Sequence, residues 1–439
     1  MGKYTKSKAV GIDLDGFVEE NLNIIVNQIK KEIEGLKAII LMGGYGRGEG
    51  AVEIHNGKPR LINDFDMYVI TERQLPDDFL ESVALKCSKL IGKGGIAHPE
   101  GFEKRYNFEE FFHVDIRCIP EKRLPLLPPT VRYFEMRNTS TVLYGDKKIL
   151  EKLPKISPED IPKSEALRLI MNRMMLLIMS FSSKFILKRN YMTEDEHGIM
   201  VYYIGKSYLT AAEALLIFSG DFKPTYSERA VVFEKIYKKK YPELYEKIPD
   251  LPKKVKFFTN YKSKPDPKKV QAIDEWFVCR EILGTVFRTC LEKFLKRKLP
   301  NNWIEICNIL KNELSYPYFE PYARYFLRKF KIDFYVFRRF TVNLIQLYMN
   351  FKYFQKLRKD INRFYWPAFT LKDQGIRILY ITPLVLYSIE RNGKSDVSMI
   401  DKALKELKKS YLVTLTTDWE KVKSYYLKAY RLYYLQRFV

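Results

Sequence analysis

The chain has 439 residues, 46% of them hydrophobic and 29% charged, with a formal net charge of +23. That length and apolar content allow two or three hydrophobic cores and exclude a disordered chain. Cys87, Cys118, Cys279, Cys290 and Cys307 are scattered, with no Cys-x-x-Cys pair and no His/Cys cluster; this argues against a structural zinc site and fits a reducing, cytoplasmic setting. The start of the chain has no apolar core of signal-peptide length. The two most apolar later runs, 166–187 and 376–389, are interrupted by charge or too short, so no membrane span is expected.

The first elements read as one sheet domain. Phe17, Leu22, Ile25, Ile29 and Ile33 recur at helical spacing and stop at Gly35, which predicts an amphipathic helix over 16–34. The apolar run 36–42 predicts a buried strand, and 66–70 and 111–118 predict two more. Helices are expected at 78–91 and 128–138, so strand and helix alternate in an α/β domain over residues 1–150. The proline-rich stretch 151–163 reads as a linker. Beyond it helical patterns dominate, at 163–188, 198–218, 227–246, 269–297, 318–363 and 398–437. The expected fold class is therefore α+β: a catalytic sheet domain, a helical domain over 164–250 packing on its site, a break at 253–269, and a basic helical domain over 270–439.

Charge follows the same division. Residues 1–150 hold 22 basic and 22 acidic groups, and the remaining 289 hold 54 and 31. A cationic half beside a neutral one suggests a polyanionic partner, nucleic acid before a membrane surface; a merely basic surface is the plainer alternative.

Chemistry concentrates in LMGGYGRGEG, residues 41–50, where five glycines fall within eight positions after a predicted strand. No Gly-Lys-Ser/Thr closes the loop, which excludes a P-loop. Gly46, Gly48 and Ala51 fit a dinucleotide fingerprint, but that motif must open a long helix, and Asn56-Gly57 and Lys58-Pro59 are turn signals. Asn63-Asp-Phe-Asp-Met follows instead. On a strand Asp64 and Asp66 share a face while Phe65 and Met67 take the other. Two carboxylates so close repel unless a cation lies between them. Asp115 again sits within an apolar strand, where an unpaired charge is costly. If its strand lies beside that of Asp64 and Asp66, three carboxylates converge, and oxygen ligands at a site open to water and phosphate favour Mg²⁺ or Mn²⁺. His113, two residues before Asp115, shares its strand face and is either a site residue or a structural histidine.

Met42-Gly43-Gly44, Asp64-Phe65-Asp66-Met67 and Val114-Asp115-Ile116, in that order, resemble the DNA polymerase β nucleotidyltransferase superfamily over residues 20–150. The sequence Gly43-Gly-Tyr-Gly-Arg-Gly-Glu49 is similar to its minimal and kanamycin-type branch. The resemblance implies that Asp64, Asp66 and Asp115 are catalytic and hold two metal ions. It places Gly43, Gly44, Tyr45, Arg47 and Glu49 at an incoming nucleotide, its triphosphate resting on backbone amides at a helix start. Gly44 stands where many members have serine. Arg47 fits equally a phosphate contact or a salt bridge with Glu49 or Glu53.

The stretch 204–218 resembles the helix that packs on the active site in that branch, which would bring Lys206 to the triphosphate and Glu213, on the same face, to the acceptor as a base. Read without the resemblance, both are ordinary surface or ion-paired side chains. The implied reaction is NMP transfer from an NTP, ATP first, to a hydroxyl, with release of pyrophosphate. The cationic helical region and overall length resemble archaeal CCA-adding enzymes, a likeness that implies tRNA or other RNA as acceptor, although the Gly-Gly-Tyr-Gly-Arg-Gly-Glu loop differs from the Gly-Ser and Gly-Thr form of those enzymes. A small-molecule or protein acceptor, and a non-catalytic nucleotide- or RNA-binding scaffold, are the alternatives. Aromatics interleaved with arginine at 322–330 and 334–340 offer stacking planes for RNA, but at helical spacing they read first as core.

Overall fold

The computed structural model describes residues 2–94, 113–188, 191–361 and 373–434. It is α+β: a four-stranded sheet and a small hairpin near the N-terminus, followed by helices. The strands are β1 (Leu36–Leu41), β2 (Val52–His55), β3 (Lys58–Leu61), β4 (Phe65–Thr71), β5 (Val114–Pro120) and β6 (Thr141–Gly145). In the sheet the order is β5-β4-β1-β6; β1 runs antiparallel to β4 and β6, and β4 runs parallel to β5.

The predicted helix before β1 spans Leu14–Glu32, started by the Asp13 side chain accepting from the Gly16 amide, and Gly35 turns into β1 with a left-handed φ of 68°. Two features escaped the sequence reading. Asn56 and Gly57 both take positive φ and close β2 and β3 into a hairpin, as Asn-Gly does in two-residue loops. β6 is an edge strand on β1. Part of the strand expected over 111–118 lies outside the described residues, and β5 begins at Val114.

Alternation along β4 divides the side chains as expected. Phe65, Met67 and Val69 join a core with Ile25, Ile29 and Val83 from the helices Leu14–Glu32 and Asp77–Leu90. Tyr68 and Ile70 join a second core with Ile40, Ile119 and Met136 on the other face. Asp66 shares that second face at the start of β4.

The described chain forms two compact units, one of Met1–Ile161 with Glu194–Val270, the other of Pro162–Thr193 with Gln271–Val439. The division differs from the expected 164–250 helical domain. The helix Lys163–Ser180 buries Leu167, Ile170, Met174, Leu177 and Ile178, too wide an apolar surface for one neighbour, and packs on the helices Ala272–Leu295 and Gln374–Tyr387 of the second unit. Phe181 stacks on Trp276 at 4.1 Å, and the Trp276 indole donates to the Leu177 carbonyl at 2.9 Å. The expected break at 253–269 is instead mostly helix, Leu251–Ser263. Pro252 occupies its first turn, where no amide donor is needed, and Leu251, Val255, Phe258 and Tyr261 are buried at helical spacing.

The charge excess is sharper by unit than by sequence half: the first holds 39 basic and 36 acidic groups, the second 37 and 17. The expectation that the aromatics near 330 are core is overturned for Phe326, Phe330, Phe334, Phe337 and Phe340, all exposed. Ala323 and Leu327 take the inward face of their helix instead. No helix among the described residues is long and apolar enough to cross a membrane.

Candidate functional site

The glycine stretch forms one helical turn, Gly43–Gly46, between β1 and the hairpin. It is anchored to β4 by the Met42 amide donating to the Asp66 carbonyl at 2.8 Å. The turn is far too short to carry a helix dipole. Its glycines serve different purposes. Gly43 has φ 67°, and a Cβ there would collide with the Asp66 carboxylate. At Gly46 a Cβ would strike the Leu41 carbonyl, and at Gly50 the Tyr45 ring. Only the first of these keeps backbone close to the acidic cluster; the other two make room for the protein's own atoms. Tyr45 is fully buried against Phe65, its hydroxyl donating to the Ala51 carbonyl at 2.7 Å. It belongs to the core, so its expected nucleotide contact is corrected here.

The parallel register of β4 and β5 sets Asp66 directly opposite Asp115. Asp64 pairs with His113, whose Nδ1 lies 3.2 Å from it, and Asp115 pairs with Arg117 at 2.9 Å. The side chains of Asp64 and Asp115 are about one-third exposed, at 34% and 32%. Burial and the neighbouring charges of Asp115 and Asp64 push the Asp66 carboxyl above its ordinary range. Burial also opposes ionisation of Asp64, but His113 and Lys206 outweigh it and hold that carboxyl low. Among the described residues no three acidic, histidine or cysteine side chains form a ready-made metal cluster; Asp64 faces the His113 imidazole and Asp115 the Arg117 guanidinium. As a donor set, however, Asp66 and Asp115 suit a hard divalent cation, since a positive charge between them would relieve the repulsion that disfavours Asp66 ionisation.

The other side of the turn is a buried ion network. Arg47, 6% exposed, pairs with Glu135 at 2.8 Å and lies 3.6 Å from Glu49. Arg229 pairs with both Glu135 and Glu213. Glu49 accepts from the Tyr226 and Ser227 amides at 2.9 and 3.1 Å and from the Ser227 hydroxyl at 2.8 Å. Although burial opposes its ionisation, these amides together with Arg47 and Lys262 hold its carboxyl down at about 2. Glu213 is buried between Arg229 and the Thr210 hydroxyl, which donates at 3.0 Å. Both of its oxygens are engaged, so a role as acceptor contact or base is not supported. The network ties the glycine turn to the helices Val131–Thr139, Glu194–Ser219 and Tyr226–Lys240; Arg47 and Glu49 hold this scaffold together.

Two lysines differ. Lys206, on the helix Glu194–Ser219, lies 4.3 Å from the Tyr202 ring, and the Tyr202 hydroxyl accepts from Asn63 at 3.3 Å. It therefore stands on the aspartate side of the turn. Lys262 lies 4.1 Å over the Tyr226 ring, which Arg47 and Arg229 also flank. Burial first, then the charges of Arg47 and Lys206, lower its ammonium to about 7. Sequence reading missed Lys262 because lysines and prolines around it masked the Leu251, Val255, Phe258, Tyr261 spacing. Glu135 and Arg229 carried no motif at all.

No protein-family model matches the chain, and a search of curated proteins finds no match. Among solved structures the chain is similar to a spectinomycin adenyltransferase from Enterococcus faecialis, determined with ATP and spectinomycin. The identity is 14% and the TM-score 0.35, over 61% of this chain and 98% of that one. A likeness of that size carries no argument, and the functional reading rests on the side chains.

Proposed function

We propose that the first unit transfers a nucleotidyl group from an NTP, ATP first, to a hydroxyl acceptor, releasing pyrophosphate. The observation that carries this reading is Asp66 opposite Asp115 on adjacent parallel strands, with the side-chain-free backbone of Gly43 against the Asp66 carboxylate. Asp66 and Asp115, with Asp64 beside them, would hold Mg²⁺ or Mn²⁺, which supplies neutralisation of phosphate charge when bound. Lys206 and Lys262 are the chain's own cations for the phosphates. Gly43 keeps side-chain-free backbone beside the Asp66 carboxylate, where the phosphates would lie, while Gly44 is buried against Asn63 and Gly50. The acceptor oxygen bonds to the α-phosphorus as the bond to pyrophosphate breaks, and the hydroxyl proton passes to a carboxylate of the cluster.

RNA is proposed as the acceptor because the excess positive charge is concentrated in the second unit. The test is incubation of the protein with α-labelled NTPs, Mg²⁺ and cell extract separated into RNA, protein and small molecules. Label in RNA supports the full reading. Label in protein or a small molecule replaces the acceptor and keeps the reaction. Absence of label in every fraction, with each NTP and metal, refutes it.

A further inference from the structure

The helices Trp303–Glu313, Gln374–Tyr387 and Val397–Leu407 of the second unit pack on one another. Between them lies a carboxylate with too many partners on one oxygen and none on the other. Glu406 is buried, yet three ammonium groups converge on its Oε1: Lys311 at 3.2 Å, Lys402 at 3.6 Å and Lys409 at 2.8 Å. Lys402 donates in addition to Asn308 Oδ1 at 2.6 Å. The Glu406 Oε2 is buried without a hydrogen-bond partner. Arg377, on the middle helix, adds a fourth positive charge acting on Lys311, and its buried Nε is also unpartnered.

Stability does not account for this arrangement. One lysine neutralises the carboxylate, an exposed pair adds little, and each further ammonium meets the charge of the first. Burial lowers the Lys409 ammonium, and the neighbouring Lys311 lowers it further against the pull of Glu406. The lysine side chains are 35%, 21% and 45% exposed in chain order, so an anion can reach them from solvent. It would supply the negative charge that a single glutamate cannot.

The glutamate restricts which anion fits. The terminal torsion of a glutamate is soft, so the oxygen now bare can turn towards an incoming donor. The cluster therefore offers several donors and one acceptor. Sulfate and phosphodiesters carry no hydroxyl proton at neutral pH, and either would set an unprotonated oxygen against Glu406. A phosphate with one P–OH satisfies both kinds of group.

We infer that the cluster binds a phosphate group bearing one hydroxyl, as hydrogenphosphate or a phosphomonoester. Lys311, Lys402 and Lys409 donate to its anionic oxygens, and Glu406 accepts from its hydroxyl.

The test is calorimetric titration of the full chain with inorganic phosphate and with sulfate, for wild type, the double variant Lys311→Met with Lys409→Met, and Glu406→Gln. Wild type should bind phosphate about 10-fold more tightly than sulfate. The double variant should bind phosphate about 10-fold more weakly than wild type, with an unchanged melting temperature because both side chains are partly exposed. Glu406→Gln should bind the two anions alike; if that buried change prevents folding, the wild-type preference and the double variant decide without it. Two oligoribonucleotides separate the sources of the phosphate. Tighter binding of a 5′-phosphorylated strand than of its 5′-hydroxyl form, lost in the double variant, assigns the site to an RNA end; equal binding of the two strands beside retained phosphate binding assigns it to free phosphate. A wild-type chain that takes up no phosphate at millimolar concentration overturns the proposal. So does sulfate bound as tightly as phosphate, and so does phosphate binding indifferent to the double variant. All of these residues belong to the second unit, and no outcome depends on whether label transfer is found.

Discussion

The aspartate cluster and the ion network lie on two sides of one glycine turn and are built from similar residues, yet their charges are matched to different degrees. In the network Arg47, Glu49, Glu135, Arg229 and Glu213 interlock, largely buried. In the cluster three carboxylates crowd around one strand end, two of them about one-third exposed, and ionisation of Asp66 is disfavoured by burial first and then by the other two. Matched buried charge is scaffold; crowded like charge is, on the proposed reading, a site for a positive partner. A motif alone cannot distinguish these, since Arg47, Glu49 and Asp64 all fall in or near the same glycine stretch.

The comparison can be broken first at the cluster. Asp66→Ala or Asp115→Ala should lower label transfer at least about 1,000-fold, measured with α-labelled NTP, and should leave the melting temperature no lower than wild type. Retention of transfer in either variant would remove the distinction.

The network should fail in the opposite way. Glu49→Ala leaves the Ser227 and Tyr226 amides without their acceptor while Arg47 keeps Glu135, at a cost of about 1–3 kcal/mol in denaturant unfolding. Because the folded-state carboxyl of Glu49 is depressed to about 2, its contribution is present above about pH 4.5 and is lost as pH falls from there towards 2. The acid limb of the stability curve should flatten in Glu49→Ala; an unaltered limb would show that another group governs it.

Lys262 sharpens the boundary between the two regions. Lys262→Met should weaken nucleotide binding roughly 10-fold by calorimetry while leaving the fold intact. With its ammonium at about 7, wild-type nucleotide affinity should decline as pH rises through neutrality, a slope the variant lacks. The smallest effect on activity is expected at Gly50→Ala, where a methyl group pressed on the Tyr45 ring should cost about 1–3 kcal/mol of stability by overpacking with little change in activity per folded molecule.

Local pattern made much of this legible. Alternation along β4 separated Asp64 and Asp66 from Phe65 and Met67, and helical spacing located Leu14–Glu32 and Glu194–Ser219. What stayed hidden depended on contacts far apart in the chain. Tyr45 reads as a loop residue until Phe65 and Ala51 enclose it, and Glu213 reads as a free base until Arg229 arrives from 16 residues on. The helix Lys163–Ser180 went to the wrong domain because a buried helix does not announce its neighbours. The phenylalanines near 330 were assigned to the core by spacing alone, which specifies a face but not what covers it.

The most direct test of the distinction is Asp66→Asn, measured for thermal unfolding and for label transfer on the same preparation. Removing one of three crowded carboxylates without changing its shape should raise the melting temperature and abolish transfer. A lowered melting temperature, as expected of Glu49→Ala, or transfer that persists, would contradict the reading of Asp66 as a site residue.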